Sequence, residues 1–526
     1  MGQMLEAIVA QSDELKDGDM REVKVGTTAV LLLRVNGQFH ALGANCTHYG
    51  APLVQGALHG ERLVCPWHHA CFRVSDGALE EPPALDNLPH FGLRVEGGSV
   101  LVAVPADAPD RRVPVTAPAQ PSDTRLFAIV GGGAAAQTAA ETLRQAGFGG
   151  RIVILTATAQ PPIDRPALSK EYLDGEVGAD ALPLRAADFF AQHAIEVRTN
   201  TTVQRIDIST RTLDLADGTH LQADAILLAP GSTPIKVDVP GAELPEVITL
   251  RAMGDAERIL AALGASARVI VVGASFIGME VAASLRKRGV DVTVIAPDRV
   301  PYAKILGDDV GTMFLNLHAE QGVQFRLGRK LARVEGTGHI TGVVLDDGEQ
   351  LPADLVVVGI GVRPATRAIA GLPLQEDGGV RVDSALRLAD GVFAAGDVVL
   401  FPDAATGATV RIEHWRVAEQ HGRHAARAML GDAAPFAGVP FFWTKQFDMA
   451  LRYVGHVKQW DEILFWGDPA DHTFIAFYCK DGRVAAAAGM KRDTDMAVIE
   501  ELMRSGHMPT PDALRVGEID LAALLG

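Results

Sequence analysis

Hydrophobic and polar positions change rhythm three times along the chain. Up to residue 104 the apolar residues come in short runs cut by Gly, Asn and Asp: REVKVG (21–26), AVLLLRV (29–35), QFHAL (38–42), ERLVCP (61–66) and GLRVEGGSVLVAV (92–104). Such runs predict strands, and no long amphipathic helix interrupts them, so a small antiparallel β domain is expected over 1–104. Residues 105–124, PADAPDRRVPVTAPAQPSDT, carry five prolines among small residues and read as a semi-extended linker. At about 3.1 Å per residue it would span on the order of 60 Å, enough for a small domain to swing over a large one or dock against it.

From Arg125 the pattern becomes apolar strand, glycine turn, Ala-rich helix and second strand, twice over. FAIVGGGAAAQTAAETLRQAG (127–147) with RIVILT (151–156) is the first unit; VIVVGASFIGMEVAASLRKRG (269–289) with DVTVIA (291–296) is the second. Alternating strands and helices predict βαβ units and parallel sheets. After Gly431 the rhythm is lost again. PFFWTKQFDMALRYVGH (440–456), EILFWG (462–467) and TFIAFYC (473–479) predict strands, and MAVIEELMRSG (496–506) a helix, so a separate α+β domain closes the chain.

Composition narrows the function. With 526 residues the chain has room for three or four domains, and its net charge of −17 argues against nucleic-acid or anionic-membrane partners, which select for Lys and Arg. Four cysteines, Cys46, Cys65, Cys71 and Cys479, are too few for a disulfide framework and suit a reducing compartment. The N-terminus lacks a signal-peptide pattern. The longest apolar stretch, 269–285, is broken by Gly273, Ser275 and Gly278 and contains Glu280, so it reads as buried strand plus helix and not as a membrane span. A cytoplasmic protein is expected.

Two short loops carry the most specific signal. C-T-H at 46–48 and C-P-W-H at 65–68 each supply one Cys and one His. A Rieske-type [2Fe–2S] centre needs that division, two thiolates on one iron and two imidazoles on the other, so Cys46, His48, Cys65 and His68 are the expected ligands. Zinc is the competing reading, but zinc fingers usually group Cys with Cys and His with His. The runs CTHYGAPL and CPWHHACF resemble the cluster loops of Rieske ferredoxins. Against high-potential members of that family, Ala51 and Trp67 stand where a loop-bridging disulfide would be, and Ala70 and Phe72 replace hydroxyl residues. Fewer hydrogen bonds to sulfur imply a low potential, about −150 mV. Cys71 reads as a buried small residue, and His69 as an exposed non-ligand beside the cluster.

Gly131, Gly133 and Ala136 fit G-x-G-x-x-A after a strand and before a helix, a turn that lets backbone N–H groups approach a pyrophosphate. Gly273, Ser275 and Gly278 repeat it with serine in the middle. IDRPALSKEYL (163–173), LLAPGSTP (227–234), VFAAGDV (392–398), RIEHWRVAEQHGRHAARAMLG (411–431) and PFFWTKQFD (440–448) stand in the order of two-dinucleotide flavoproteins. Together these blocks resemble ferredoxin reductases of the glutathione-reductase fold that serve bacterial dioxygenases. With the N-terminal domain added, the whole chain is similar to apoptosis-inducing-factor-like Rieske/FAD–NAD(P)H fusions.

The resemblance implies an all-β Rieske domain (1–104), the linker (105–124), an α/β Rossmann-like FAD-binding domain in two parts (125–243 and 368–433), a Rossmann-like NAD(P)-binding domain (244–367) and an α+β C-terminal reductase/dimerisation-type domain (434–526), which leaves a homodimer open. It implies that Gly131, Gly133 and Ala136 hold the FAD pyrophosphate, that Arg165 and Lys170 flank the flavin, and that Asp397 takes hydrogen bonds from the ribityl chain. It further implies Trp415 beside the isoalloxazine, Lys170 paired with Glu280 near the nicotinamide, and Gly273, Ser275, Gly278 and Gly361 on the NAD(P) side. Trp443 reads first as a flavin-edge residue, with a core role in the C-terminal domain close behind. The acids that contact an NAD ribose are absent: Thr156 and Ala157 end the first unit and Ala296 the second, with Arg299 near enough in sequence to admit a 2′-phosphate. Family usage favours NADH.

The expected activity is electron transfer from NAD(P)H through FAD to the chain's own cluster and on to an acceptor protein such as an oxygenase or cytochrome. An NADH oxidase or quinone reductase, and a redox-sensing interaction protein, are the alternatives. No C-x-x-C follows the first Rossmann unit, which excludes a disulfide-reductase dithiol there. Residues 1–104 hold 12 acids against 7 bases, so a basic patch would suit a docking partner.

Overall fold

The structure is a computed structural model that describes residues 3–264 and 267–525. The N-terminal unit contains three small antiparallel sheets. One joins Met20–Val25, Thr28–Val35 and Gln38–Gly43, whose central strand buries Val30 to Leu33. A four-stranded ladder, Ala57–His59, Arg62–Val64, Cys71–Arg73 and Leu79–Glu81, carries the second cluster loop between its middle strands. The third sheet pairs Met4–Gln11 with Ser99–Pro105, which in turn pairs with Gly92–Glu96. The 4–11 strand was not expected from sequence: MLEAIVAQ puts apolar residues on both faces, with Met4 and Ile8 exposed, so its residue types show little apolar–polar alternation.

Two parallel sheets follow. The first has the order Ile195–Arg198, Arg151–Leu155, Leu126–Val130, Ala225–Leu228, Val392–Ala394, with Arg387–Ala389 antiparallel at its edge. The second orders Val247–Thr249, Leu355–Val358, Arg268–Val272, Asp291–Ala296 and Gln324–Leu327, all parallel. Both central strands are buried on both faces, which is why they read as unbroken apolar runs. Ala134–Gln145 and Phe276–Lys287 are the helices after the two glycine turns. The long helix Trp415–Met429 lies against Ala134–Gln145 so closely that a Cβ on Gly422 would stand 2.2 Å from the carbonyl oxygen of Ala135.

The C-terminal unit is a five-stranded antiparallel sheet ordered Phe441–Gln446, Met449–Gly455, Arg483–Met490, Thr473–Lys480, Glu462–Asp468, covered by the helix Asp493–Ser505. Among the described residues no helix is long and apolar enough to cross a membrane.

The N-terminal unit is docked. Ala57, Val64 and Cys71 share one apolar cluster with Phe441, Phe477, Val498 and Ile499 of the C-terminal unit. Arg185 bridges Glu141 (2.6 Å) and Asp86 (2.7 Å). The proline-rich segment forms no helix and, beyond Pro105, no strand of its own, but it is tied down. Arg112 exchanges backbone hydrogen bonds with Asn87, and the N–H groups of Ala117 and Gln120 donate to Arg144 and Gly149.

Candidate functional site

The two cluster loops bring Cys46, His48, Cys65 and His68 together. Both sulfurs are buried, and the two imidazole Nδ1 atoms converge to 3.1 Å. Among the described residues no three His, Cys, Asp or Glu side chains close on a single-ion site. The donors stand as a thiol pair and an imidazole pair, the division a two-iron Rieske cluster uses. Contact with Cys65, together with burial, pushes the Cys46 thiol well up; backbone N–H groups of His48 and Tyr49 act against this. Burial also raises Cys65, but Cys46 and the backbone of His68 and Trp67 outweigh it and hold its thiol below the usual value. Amides aimed at both sulfurs favour thiolates, which is what a metal cluster needs. Burial pushes His48 down to about 3 and His68 well below its usual value, so both imidazoles are neutral and able to ligate. No second cysteine pair joins these loops: Ala51, Ala70 and Phe72 are buried without hydroxyl or thiol, and Cys71 is buried and free.

His69 departs from expectation. It is fully buried, with Nδ1 2.5 Å from Glu500 Oε2, because docking of the two units covers it.

Beside these loops lies a cavity of about 370 Å³ between the two parallel-sheet units and the C-terminal sheet. Gly133, Arg165, Lys170, Asp397, Trp415, Ser275, Glu280 and Gly361 are on its wall. Gly131, Ala136, Gly273 and Gly278 lie behind it and shape the turns. Gly131 has φ +122°, and a Cβ there would stand 1.9 Å from the carbonyl oxygen of Ala229; Gly273 has φ +108° with a 2.3 Å clash against Gly359. Neither position admits a side chain. Ala136 is buried in the first helical turn. Ser275 is more than a small residue: its Oγ caps the helix by accepting from Gly278 N (3.3 Å) and donates to Gly359 O (2.6 Å).

Lys170 Nζ is 3.0 Å from Glu280 Oε2 and donates to Pro166 O (2.9 Å). Ser169 and Thr444 hydroxyls donate to the two Glu280 oxygens at 2.5 and 2.7 Å, and Gln446 donates to Thr444 and Tyr302. This chain of partners for Glu280 was not read from sequence, although PFFWTKQFD contained Thr444 and Gln446 and IDRPALSKEYL contained Ser169. Asp397 Oδ2 accepts from Ser232 (2.5 Å) and Arg251 (3.3 Å). Arg165 has no ion-pair partner among the described residues, and burial, with Arg251 nearby, lowers it to about 10. An unpaired arginine beside a glycine turn open towards the cavity fits a pyrophosphate. The donor set and the cavity therefore fit a cluster and a dinucleotide.

Trp443 joins the two halves. It lines the cavity and its ring centroid is 4.5 Å from that of His68 and 6.2 Å from that of His48. Tyr49, next to His48, donates to Asp164 across the same seam (2.6 Å).

Residues 126–422 match the pyridine nucleotide-disulphide oxidoreductase family, residues 6–92 the Rieske [2Fe-2S] domain and residues 441–525 the reductase C-terminal domain. Apoptosis-inducing factor 3 of Homo sapiens is 39% identical over 99% of this chain and 86% of its own length. The ferredoxin–NAD(+) reductase component of the anthranilate 1,2-dioxygenase system of Burkholderia cepacia is 35% identical over 76% of this chain and 99% of its own. Among solved structures, a ferredoxin reductase from Rhodopseudomonas palustris superposes with TM-score 0.72 at 33% identity, covering 77% of this chain and 100% of that one. The covalent putidaredoxin reductase–putidaredoxin complex gives 0.72 at 29% identity, over 77% and 98%. The chain belongs to the pyridine nucleotide-disulphide oxidoreductase family, as an NAD(P)H flavoprotein oxidoreductase of the ferredoxin-reductase type fused to a Rieske [2Fe–2S] domain.

Proposed function

We propose that this chain passes electrons from NADH through FAD to its own Rieske cluster and from there to an acceptor protein. The observation that carries the proposal is Trp443, whose ring forms part of the cavity wall and lies 4.5 Å from the His68 ring. When bound, FAD would turn a two-electron hydride donor into single-electron steps that a one-electron cluster can accept. Cys46, His48, Cys65 and His68 would ligate the cluster. Gly131, Gly133, Ala136, Arg165 and Asp397 would hold FAD, with Trp415 against its ring. Gly273, Ser275, Gly278 and Gly361 would form the nicotinamide-dinucleotide side, and the Lys170–Glu280 pair would orient the nicotinamide over the flavin.

NADH is favoured over NADPH because Arg299, the candidate for a 2′-phosphate, is largely exposed and 3.5 Å from Asp308. Comparing turnover on the two donors tests this; a large NADPH preference overturns it. The acceptor is a protein with a basic docking patch, given the acidic N-terminal unit. A reducing compartment suits the four free cysteines. The test of the route is His68→Ala: reduction of a cytochrome or oxygenase should be lost while flavin reduction by NADH is kept. Full electron export from that variant would refute the route.

A further inference from the structure

We propose that Glu500 is a positioning residue for flavin-to-cluster electron transfer, holding the loop of His68 and the helix of Trp415 in one fixed arrangement. The inference rests on the route proposed above.

Three separate parts of the chain meet at this one carboxylate. Glu500 belongs to the C-terminal helix Asp493–Ser505. Its Oε2 is 2.5 Å from Nδ1 of His69, which directly follows the proposed ligand His68. Its Oε1 is 2.8 Å from Nη1 of Arg416, which directly follows Trp415 on the cavity wall. His69 and Arg416 are 0% exposed and the Glu500 side chain 4%. Arg416 Nε donates to Pro82 O (2.7 Å), so the same guanidinium also grips the N-terminal unit.

Phe441 closes the group. The His69 ring stacks on it at 4.1 Å, and the Arg416 guanidinium lies 5.6 Å from its centroid. Phe441 is two residues from Trp443 on one strand, and alternate residues of a strand face the same way. Glu500 is thereby tied to the cluster loop, to the cavity helix and to the strand between them.

A buried charged group is a poor way to gain stability, because desolvation offsets most of the attraction; its best-attested use is to select one arrangement. Two details favour that use here. His69 has φ +59°, a left-handed backbone that a non-glycine residue keeps only when its surroundings hold it. Arg416 Nη1 is 2.8 Å from the carboxylate but not aligned for a hydrogen bond, so the tie depends on charge. Burial pushes the Glu500 carboxyl up, yet Arg416 and His69 outweigh it and hold it below its usual value, so it is ionised. The proposed electron path runs through the His68 and Trp443 rings, and no link other than the long main chain between them joins their segments.

The test is Glu500→Gln in the full-length holoenzyme, which keeps the shape and removes the charge. Parent and variant are mixed rapidly with NADH under anaerobic conditions, following flavin bleaching and the cluster EPR signal. The hydride step should be unchanged, while cluster reduction slows several-fold. FAD and iron content and the EPR line shape of the dithionite-reduced cluster should be unaltered, and amide hydrogen exchange over residues 66–72 should rise. Glu500→Asp, which keeps the charge, should show the same split at smaller amplitude and serves if the glutamine variant does not fold. Cluster reduction at the parent rate, or a parallel fall in both steps, overturns the role of Glu500. A parent enzyme whose cluster is not reduced by NADH overturns the route itself.

Discussion

Replacing Lys170 by Met tests how the cavity wall is held together. The side chains of Lys170 and Glu280 are 9% and 3% exposed and 3.0 Å apart. Removing one partner of a buried pair costs about 3–5 kcal/mol, because a charge is left uncompensated. Glu280 would keep its bonds from Ser169 and Thr444, which places the loss at the lower end, about 3 kcal/mol. For a cooperative unit of roughly 150–250 residues that corresponds to a fall in Tm of about 6–12 °C. The assay is thermal release of flavin fluorescence from the holoenzyme. One further variant distinguishes the cause. Glu280→Gln added to Lys170→Met should recover most of the loss, since no buried charge remains. An unchanged Tm, or a double variant no more stable than the single one, refutes the reasoning.

Gly131→Ala should weaken FAD binding by about 100-fold, since a Cβ 1.9 Å from Ala229 O must displace backbone and the φ of +122° adds strain of about 1–3 kcal/mol; fluorescence titration of the flavin-free protein measures it. Acid should undock the N-terminal unit. Burial raises Glu501, but Arg504 and Arg62 outweigh it and bring its pKa from 4.5 to about 2, so its contribution is present above pH 4.5 and is lost as pH falls through about 2; small-angle scattering across that window should report expansion, reduced in Glu501→Gln. Redox titration should give a midpoint near the low end of the Rieske range, about −150 mV, because the cluster loops offer neither a bridging disulfide nor hydroxyls at Ala70 and Phe72.

The fold class was legible where local chemistry alone decides structure. The strands 126–130 and 268–272 are buried on both faces, and the glycines that follow sit where no other residue fits. It was not legible where tertiary context decides. Arg483–Met490, RVAAAAGM, has little intrinsic strand preference and is a strand because Met449–Gly455 and Thr473–Lys480 flank it. In the candidate site, the cluster loops and the Lys170 and Asp397 blocks were readable because their residue types and order are unusual. The burial of His69 was not, because its partner Glu500 lies 431 positions away on a helix that reads as ordinary amphipathic sequence. The tethering of the proline-rich segment escaped for the same reason: Arg144 and Gly149 accept its amides through backbone carbonyls that carry no sequence signature.

The central claim is that NADH reduces the cluster through the flavin within one chain. Anaerobic titration of the dilute protein with NADH, recorded by visible and EPR spectroscopy, tests it most directly. The account predicts flavin bleaching followed by a reduced Rieske signal whose rate is independent of protein concentration and whose appearance requires bound FAD. A cluster that stays oxidised while the flavin is fully reduced, or one whose reduction rate scales with protein concentration, would contradict it.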